Sequence, residues 1–143
     1  MSRALVLVLT FAALASAQDL TRSGDRLVLP SPIEFDIDSA EIRPRSFAVL
    51  DRVADWLRTN PEARIEIQAH TDPEWVCEHC GRRLTRDRAR SVLAALVDRG
   101  IERTRLEARS FRGERPLARC EQRNRRARRA CQMQNRRIEL HLL

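Results

Sequence analysis

The chain has 143 residues, 43% of them hydrophobic and 33% charged. That is enough for one domain with a real core, too short for two comfortable ones, and too apolar for a disordered chain. The formal charge of +7 favours anionic polymers in general without choosing among them, while an aromatic content of 4% and no tyrosine argue against a nucleic-acid reader.

The first residues carry the three parts of a secretory signal peptide. Arg3 supplies the positive start, residues 4–14 the apolar run, and Ala15-Ser16-Ala17 the small-residue cleavage pattern. The run is shorter than the ~20 residues a spanning helix needs. Residues 1–17 are therefore expected to be removed, leaving no transmembrane segment in the mature chain and a net charge lowered by one, to +6. Export makes disulfides the expected state of the four cysteines, for which three pairings are possible. Spacing favours two local bridges, Cys77 with Cys80 and Cys120 with Cys131.

Residues 18–25 read as a polar, flexible leader, and residues 26–143 as the domain. Short extended pieces are expected over 26–30 and 33–36, interrupted by Pro30 and Pro32. Pro44 opens a helix whose apolar stripe is Phe47, Leu50, Ala54 and Leu57, widened by Val49, Val53 and Trp56; Asn60-Pro61 stops it. Strict alternation over 64–69 predicts a strand with Ile65 and Ile67 facing the core. A loop follows over 70–83. Thr85 reads as the N-cap of a second helix with Asp87 in its first turn, Ala89, Val92, Leu93, Leu96 and Val97 on its apolar face, and Gly100 at its end. A third strand is expected over 106–111, an arginine-rich excursion over 112–134, and a final alternating strand over 136–142.

The segments Ile33-Glu-Phe-Asp-Ile-Asp-Ser-Ala-Glu-Ile42, Ile67-Gln-Ala-His-Thr-Asp72, Leu84-Thr-Arg-Asp-Arg-Ala-Arg-Ser-Val92 and Asn135-Arg-Arg-Ile-Glu139 occur in this order at suitable spacing. Together they resemble the OmpA C-terminal-like domain, also found in peptidoglycan-associated lipoproteins and flagellar stator proteins, over residues 26–143. Any one of these motifs is weak evidence; four in order are specific. The resemblance implies an α+β fold, a β-α-β-α-β-β domain with a mixed four-stranded sheet and helices packed on one face.

It also implies non-covalent binding of the peptidoglycan stem peptide, with diaminopimelate as the main determinant, in the periplasm and peripheral to the outer membrane. The role is cell-envelope integrity or anchoring, without catalysis and without a cofactor. Carried over by position, Asp72 accepts the diaminopimelate ammonium and Arg88 takes its carboxylate, while Asp36, Thr71 and Arg136 line the same site. Under strand alternation Arg137 could point into the site in place of Arg136. Arg88, placed in the first turn of its helix, would share the anion with free N–H groups there, and its fork can hold a carboxylate with two parallel hydrogen bonds. Gly81 stands where relatives usually carry an asparagine, which removes one contact of about 0.5–1.5 kcal/mol. The resemblance also matches a disulfide in the 120–131 region. With neither lipid anchor nor barrel of its own, the module would reach the outer membrane through a partner, such as Tol-Pal-type envelope proteins.

Two other chemistries have to be weighed. Cys77-Glu-His-Cys80 could serve a periplasmic thiol-disulfide or metal-binding protein, but it falls in a loop and only two cysteines are close in sequence, so no metal site is expected. The run of arginines over 123–129 invites nucleic acid, from which export would separate the protein; a solvated basic surface touching wall phosphates or carboxylates is the plainer reading. Asp72 and His70 lack a nucleophile at recognisable spacing, and no serine-hydrolase motif occurs.

Overall fold

The computed structural model describes residues 20–73 and 78–143, with the side chains of the second stretch from residue 81 onward. The expected signal peptide, Trp75, His79 and the expected Cys77–Cys80 pairing lie outside the described residues and side chains.

Helical spacing and strand alternation turn most apolar residues toward one core. The elements are β1 (Thr21–Ser23), β2 (Arg26–Val28), α1 (Phe47–Thr59), β3 (Ile65–His70), α2 (Glu78–Val97), β4 (Leu106–Arg112), α3 (Arg125–Gln132) and β5 (Arg137–Leu142). The strands form one mixed sheet in the order β1-β2-β5-β3-β4, antiparallel except for the β3–β4 pair that flanks α2. Ile65, Ile67, Ala69, Leu106, Ile138 and Leu140 turn from the sheet into the same cluster as Leu50, Val53, Leu57, Val92 and Leu96 of α1 and α2. Each fully buried aliphatic side chain contributes about 1.5–3 kcal/mol. The opposite face of the sheet is polar. There Arg137 Nε donates to Glu139 at 2.6 Å, Glu139 also bonds His141, and Arg109 pairs with Glu66 at 3.2 Å.

Several expectations need correcting. The sheet has five strands, not four, because Thr21–Ser23 of the supposed leader pairs with β2 through a two-residue Gly24-Asp25 turn. Gly24 takes a φ of +62°, the left-handed geometry that such hairpin turns require. The piece over 33–36 forms only the isolated bridge between Phe35 and Ile42. Pro44 opens a 3-10 turn, Pro44–Ser46, which runs into α1; Phe47 at its start is 41% exposed, and Trp56 packs only partly against the core.

Helix α2 begins at Glu78, so Thr85 is not its N-cap. Thr85 is buried mid-helix, where its hydroxyl donates to the Gly81 carbonyl at 2.7 Å and meets Ser110 Oγ of β4. Arg88 accordingly lies well inside the helix, and no first-turn N–H groups accompany it. The excursion after β4 contains α3, capped by Asn124, whose Oδ1 accepts from Arg126 N at 2.9 Å and Ala127 N at 3.0 Å. The Cys120–Cys131 disulfide staples that segment. Gly100, with φ +85°, ends α2 as the sequence implied; its N–H donates to Val97 O at 2.8 Å.

Candidate functional site

The loop over 34–43, the C-terminal end of β3, the middle of α2 and the entry to β5 meet at one end of the sheet. Between them opens a cleft of ≈ 560 Å³, lined among others by Phe35, Asp36, Asp38, Arg88 and Arg136.

The loop is shaped by its own backbone. Asp36 N donates to Glu41 O at 3.1 Å, Arg43 N to Glu34 O at 2.9 Å, and Asp38 takes a φ of +51°, a conformation Asp tolerates better than most residues. This turn presents two carbonyls to α2. Arg88 Nε donates to Ser39 O at 2.8 Å and Nη2 to Asp36 O at 3.4 Å, while the guanidinium carbon lies 5.0 Å from the centre of the Phe35 ring. The loop therefore fixes Arg88 over the cleft rather than leaving it free to sweep solvent. The Asp36 carboxylate is more than half exposed and accepts from Arg43 Nε at 3.0 Å.

Asp72 follows the end of β3 and is 4% exposed. Its Oδ2 accepts from Arg136 Nε at 2.7 Å, a charge-assisted bond between residues 64 apart in sequence. Asn135, fully buried, sets Arg136 in place. Its Oδ1 accepts from Leu117 N at 2.8 Å and Ala118 N at 3.0 Å, and its Nδ2 donates to Ala118 O at 2.9 Å and Gln132 Oε1 at 2.9 Å. The motif asparagine thus clamps the stapled excursion to the start of β5, a role the sequence reading did not assign.

Gly113 is a second residue that reading missed. A Cβ there would lie 2.6 Å from Pro73 Cα and 2.8 Å from Asp72 O, so only glycine lets this backbone pass against the turn carrying Asp72. Nothing in the local sequence signals that approach, because it joins two distant segments.

The charges are coupled. Burial pulls the Arg88 guanidinium below its ordinary pKa, the Arg136 charge adds to that pull, and Asp38 opposes it. Two guanidinium groups therefore share the cleft, with Asp72 on one and the carboxylates of Asp36 and Asp38 on the rim. Such an arrangement can receive a group carrying both an anion and a cation: the anion relieves the repulsion between Arg88 and Arg136, and the cation meets the acidic rim.

Of the five residues expected from sequence, Asp36, Arg88 and Arg136 line the cleft. Asp72 stands directly behind Arg136. Arg136, not Arg137, pairs with Asp72; Arg137, bonded to Glu139 on the polar face of the sheet, also borders the cleft. Thr71 is buried, with its N–H on Arg112 O at 2.8 Å and its hydroxyl without a partner among the described residues, and it does not reach the cleft lining. His70, also buried, stacks on Phe111 with ring centres 5.3 Å apart; burial first, then the Arg137 charge, lowers its pKa to about 4. Among the described residues no group of three or more His, Cys, Asp or Glu side chains gathers as a metal site would require.

Comparison with known proteins places the chain in a family. The chain is 36% identical over 107 residues to the peptidoglycan-associated lipoprotein of Rhizobium meliloti strain 1021, covering 74% of this chain and 57% of that one. It is 34% identical over 107 residues to the protein of the same description from Brucella melitensis, of which it covers 60%. The chain thus spans less than two thirds of the length of these curated relatives. The crystal structure of the peptidoglycan-associated lipoprotein from Burkholderia pseudomallei superposes with a TM-score of 0.66 at 30% identity, over 78% of this chain and 88% of that one. The C-terminal domain of Helicobacter pylori MotB shares the fold, with a TM-score of 0.64 at 20% identity. The family model described as the OmpA family matches residues 34–130, a stretch that includes the loop, strand and helix building most of the cleft, and the chain belongs to that family.

Proposed function

We propose that this chain binds peptidoglycan non-covalently in the periplasm and takes the diaminopimelate of the stem peptide into the cleft between Arg88, Arg136 and the acidic rim. The observation that carries the reading is the charge arrangement. Asp72 holds Arg136 at 2.7 Å, and Arg136 in turn presses electrostatically on Arg88. One end of diaminopimelate is zwitterionic. Its carboxylate fits between the two guanidinium groups, and its ammonium fits against the carboxylates of Asp36 and Asp38 on the rim. Family membership and relatives named peptidoglycan-associated lipoproteins support the ligand class. The signal-peptide pattern of residues 3–17 supports export.

Asp72 enters this scheme differently from a free acceptor. Because its carboxylate is nearly enclosed, its task is to hold Arg136 in place for the ligand. Thr71 supports the turn through its backbone. Binding by preorganised charges leaves no step for a nucleophile, and the reading needs no catalysis. The thiol-disulfide or metal alternative gains nothing from the family match.

Isothermal titration of residues 18–143 with a purified diaminopimelate muropeptide tests the proposal. Arg88→Gln and Arg136→Gln should each weaken binding about tenfold or more, in line with the ~1.5–3 kcal/mol of a charged hydrogen bond. A muropeptide with lysine in place of diaminopimelate lacks the second carboxylate and should bind as poorly. Equal affinity across proteins and ligands would remove this site.

A further inference from the structure

The arginines of the excursion differ from those on the rest of the surface. Elsewhere many arginines are answered by carboxylates, as Arg43 is by Asp36, Arg58 by Asp55, Arg64 by Glu107 and Arg83 by Asp87. Residues 119–129 hold six arginines against one acid, Glu121. All of residues 121–130 are exposed, and Arg119, Arg123, Arg125, Arg126 and Arg129 form no ion pair among the described residues. Arg128 spends its Nε on Gln122 O at 3.1 Å.

This charge is held rigid. At about 100° per residue, Arg125, Arg126, Arg128 and Arg129 spread over roughly 160° of α3, and the buried Cys131 and Gln132 anchor its last turn. An isolated eight-residue helix of this composition would not persist in water, and its like charges would weaken it further. Here the Asn124 cap, the Cys120–Cys131 bridge and the Asn135 clamp impose it. Met133, which follows the helix, is 61% exposed, and Leu117, on the segment that Asn135 clamps to this end, is 58% exposed. Guanidinium groups on an imposed helix, with exposed apolar groups at its end, match the layered chemistry of a bilayer surface, phosphate outside and acyl chain beneath.

We propose that α3 is a docking face for a membrane surface rich in anionic phospholipid, with the arginines on the headgroup phosphates and Leu117 and Met133 entering the interface. A wall polymer offers the anions but gives the apolar pair nothing to bury in, so the bilayer is the better fit. Met133 borders both this face and the cleft, whereas the α3 arginines and Leu117 belong to this face alone, so the arginine variants test it independently of the peptidoglycan reading.

Co-sedimentation with phosphatidylglycerol vesicles, against pure phosphatidylcholine vesicles, tests it. Residues 18–143 contain every strand and helix described and omit the apolar leader, which would partition by itself. Binding should be confined to the anionic vesicles and fall steeply with salt. The triple variant R125Q/R126Q/R129Q should bind at least tenfold more weakly, since each arginine at an anionic surface counts for roughly a fivefold factor. The control R58Q/R64Q/R83Q loses the same charge elsewhere and should bind nearly as well as the parent. Leu117→Ser with Met133→Gln should weaken binding without changing its salt dependence. The proposal is overturned by absence of vesicle binding, by equal losses in the two triple variants, or by an α3 variant that loses retention on purified sacculi and not on vesicles, which would assign the face to the wall.

Discussion

Gly113→Ala should damage the cleft without touching it. The added Cβ would stand 2.6 Å from Pro73 Cα and 2.9 Å from Pro73 N, both backbone atoms that cannot rotate away. Ordinary carbon contacts lie near 3.5–4.0 Å, so the turn carrying Asp72 has to retreat by roughly 1 Å. Overpacking of this kind costs about 1–3 kcal/mol. For a domain of this size that lowers the melting temperature by roughly 3–6 °C per kcal/mol. The same retreat stretches the 2.7 Å Arg136–Asp72 bond toward or beyond the hydrogen-bond limit, which frees Arg136 from its preset orientation. Muropeptide affinity should then fall by about tenfold, the cost of one charged hydrogen bond. Calorimetric titration at a temperature well below the melting point separates the binding loss from unfolding. A double-mutant cycle supplies the decisive comparison: in an Arg136→Gln background Gly113→Ala should cost little further affinity, although it still lowers the melting temperature. Additive affinity losses, or a Gly113→Ala protein as stable and as tight-binding as the parent, would refute the argument.

Replacing Cys120 and Cys131 together by serine opens an 11-residue separation and should cost up to ~3 kcal/mol in the chain-entropy account, read as a lower denaturant midpoint. Because that staple supports Asn135, Asn135→Ala should likewise lower stability by ~2 kcal/mol or more, leaving the N–H groups of Leu117 and Ala118 without their acceptor. Arg88→Lys keeps the charge but loses the fork, so it should bind muropeptide more weakly than the parent while melting within a few degrees of it. His70 gives a pH signature. Its folded-state pKa is about 4, below the 6.5 of the free side chain, so the unfolded chain takes up the proton first and stability declines as pH falls from about 6.5 to about 4. His70→Phe, which keeps an aromatic ring beside Phe111, should flatten thermal stability across that window; an unchanged profile would place the proton elsewhere.

Periodicity in the chain was sufficient for its core. The alternation of Ile65 and Ile67, the helical spacing of Leu50, Val53, Ala54 and Leu57, and the stop at Gly100 all reflect local rules, and the structure follows them. Local signals for two missed elements were also present: Gly24-Asp25 is a hairpin turn, and Asn124 is a helix cap. The misplaced start of α2 has a different cause. Thr85 has the composition of a cap, yet its hydroxyl serves a packing bond to Ser110 of β4, a partner 25 residues away.

The cleft divides the same way. Ordered motifs named Asp36, Asp72, Arg88 and Arg136, since residue type and spacing survive in a linear string. Whether Asp72 faces solvent or grips Arg136, whether Arg136 or Arg137 pairs with it, and why position 113 must be glycine depend on segments dozens of residues apart meeting at one end of a sheet. Short-range sterics write secondary structure into neighbouring residues. Burial and charge pairing exist only once distant residues share the same space, and those two quantities decided which of these side chains line the cleft.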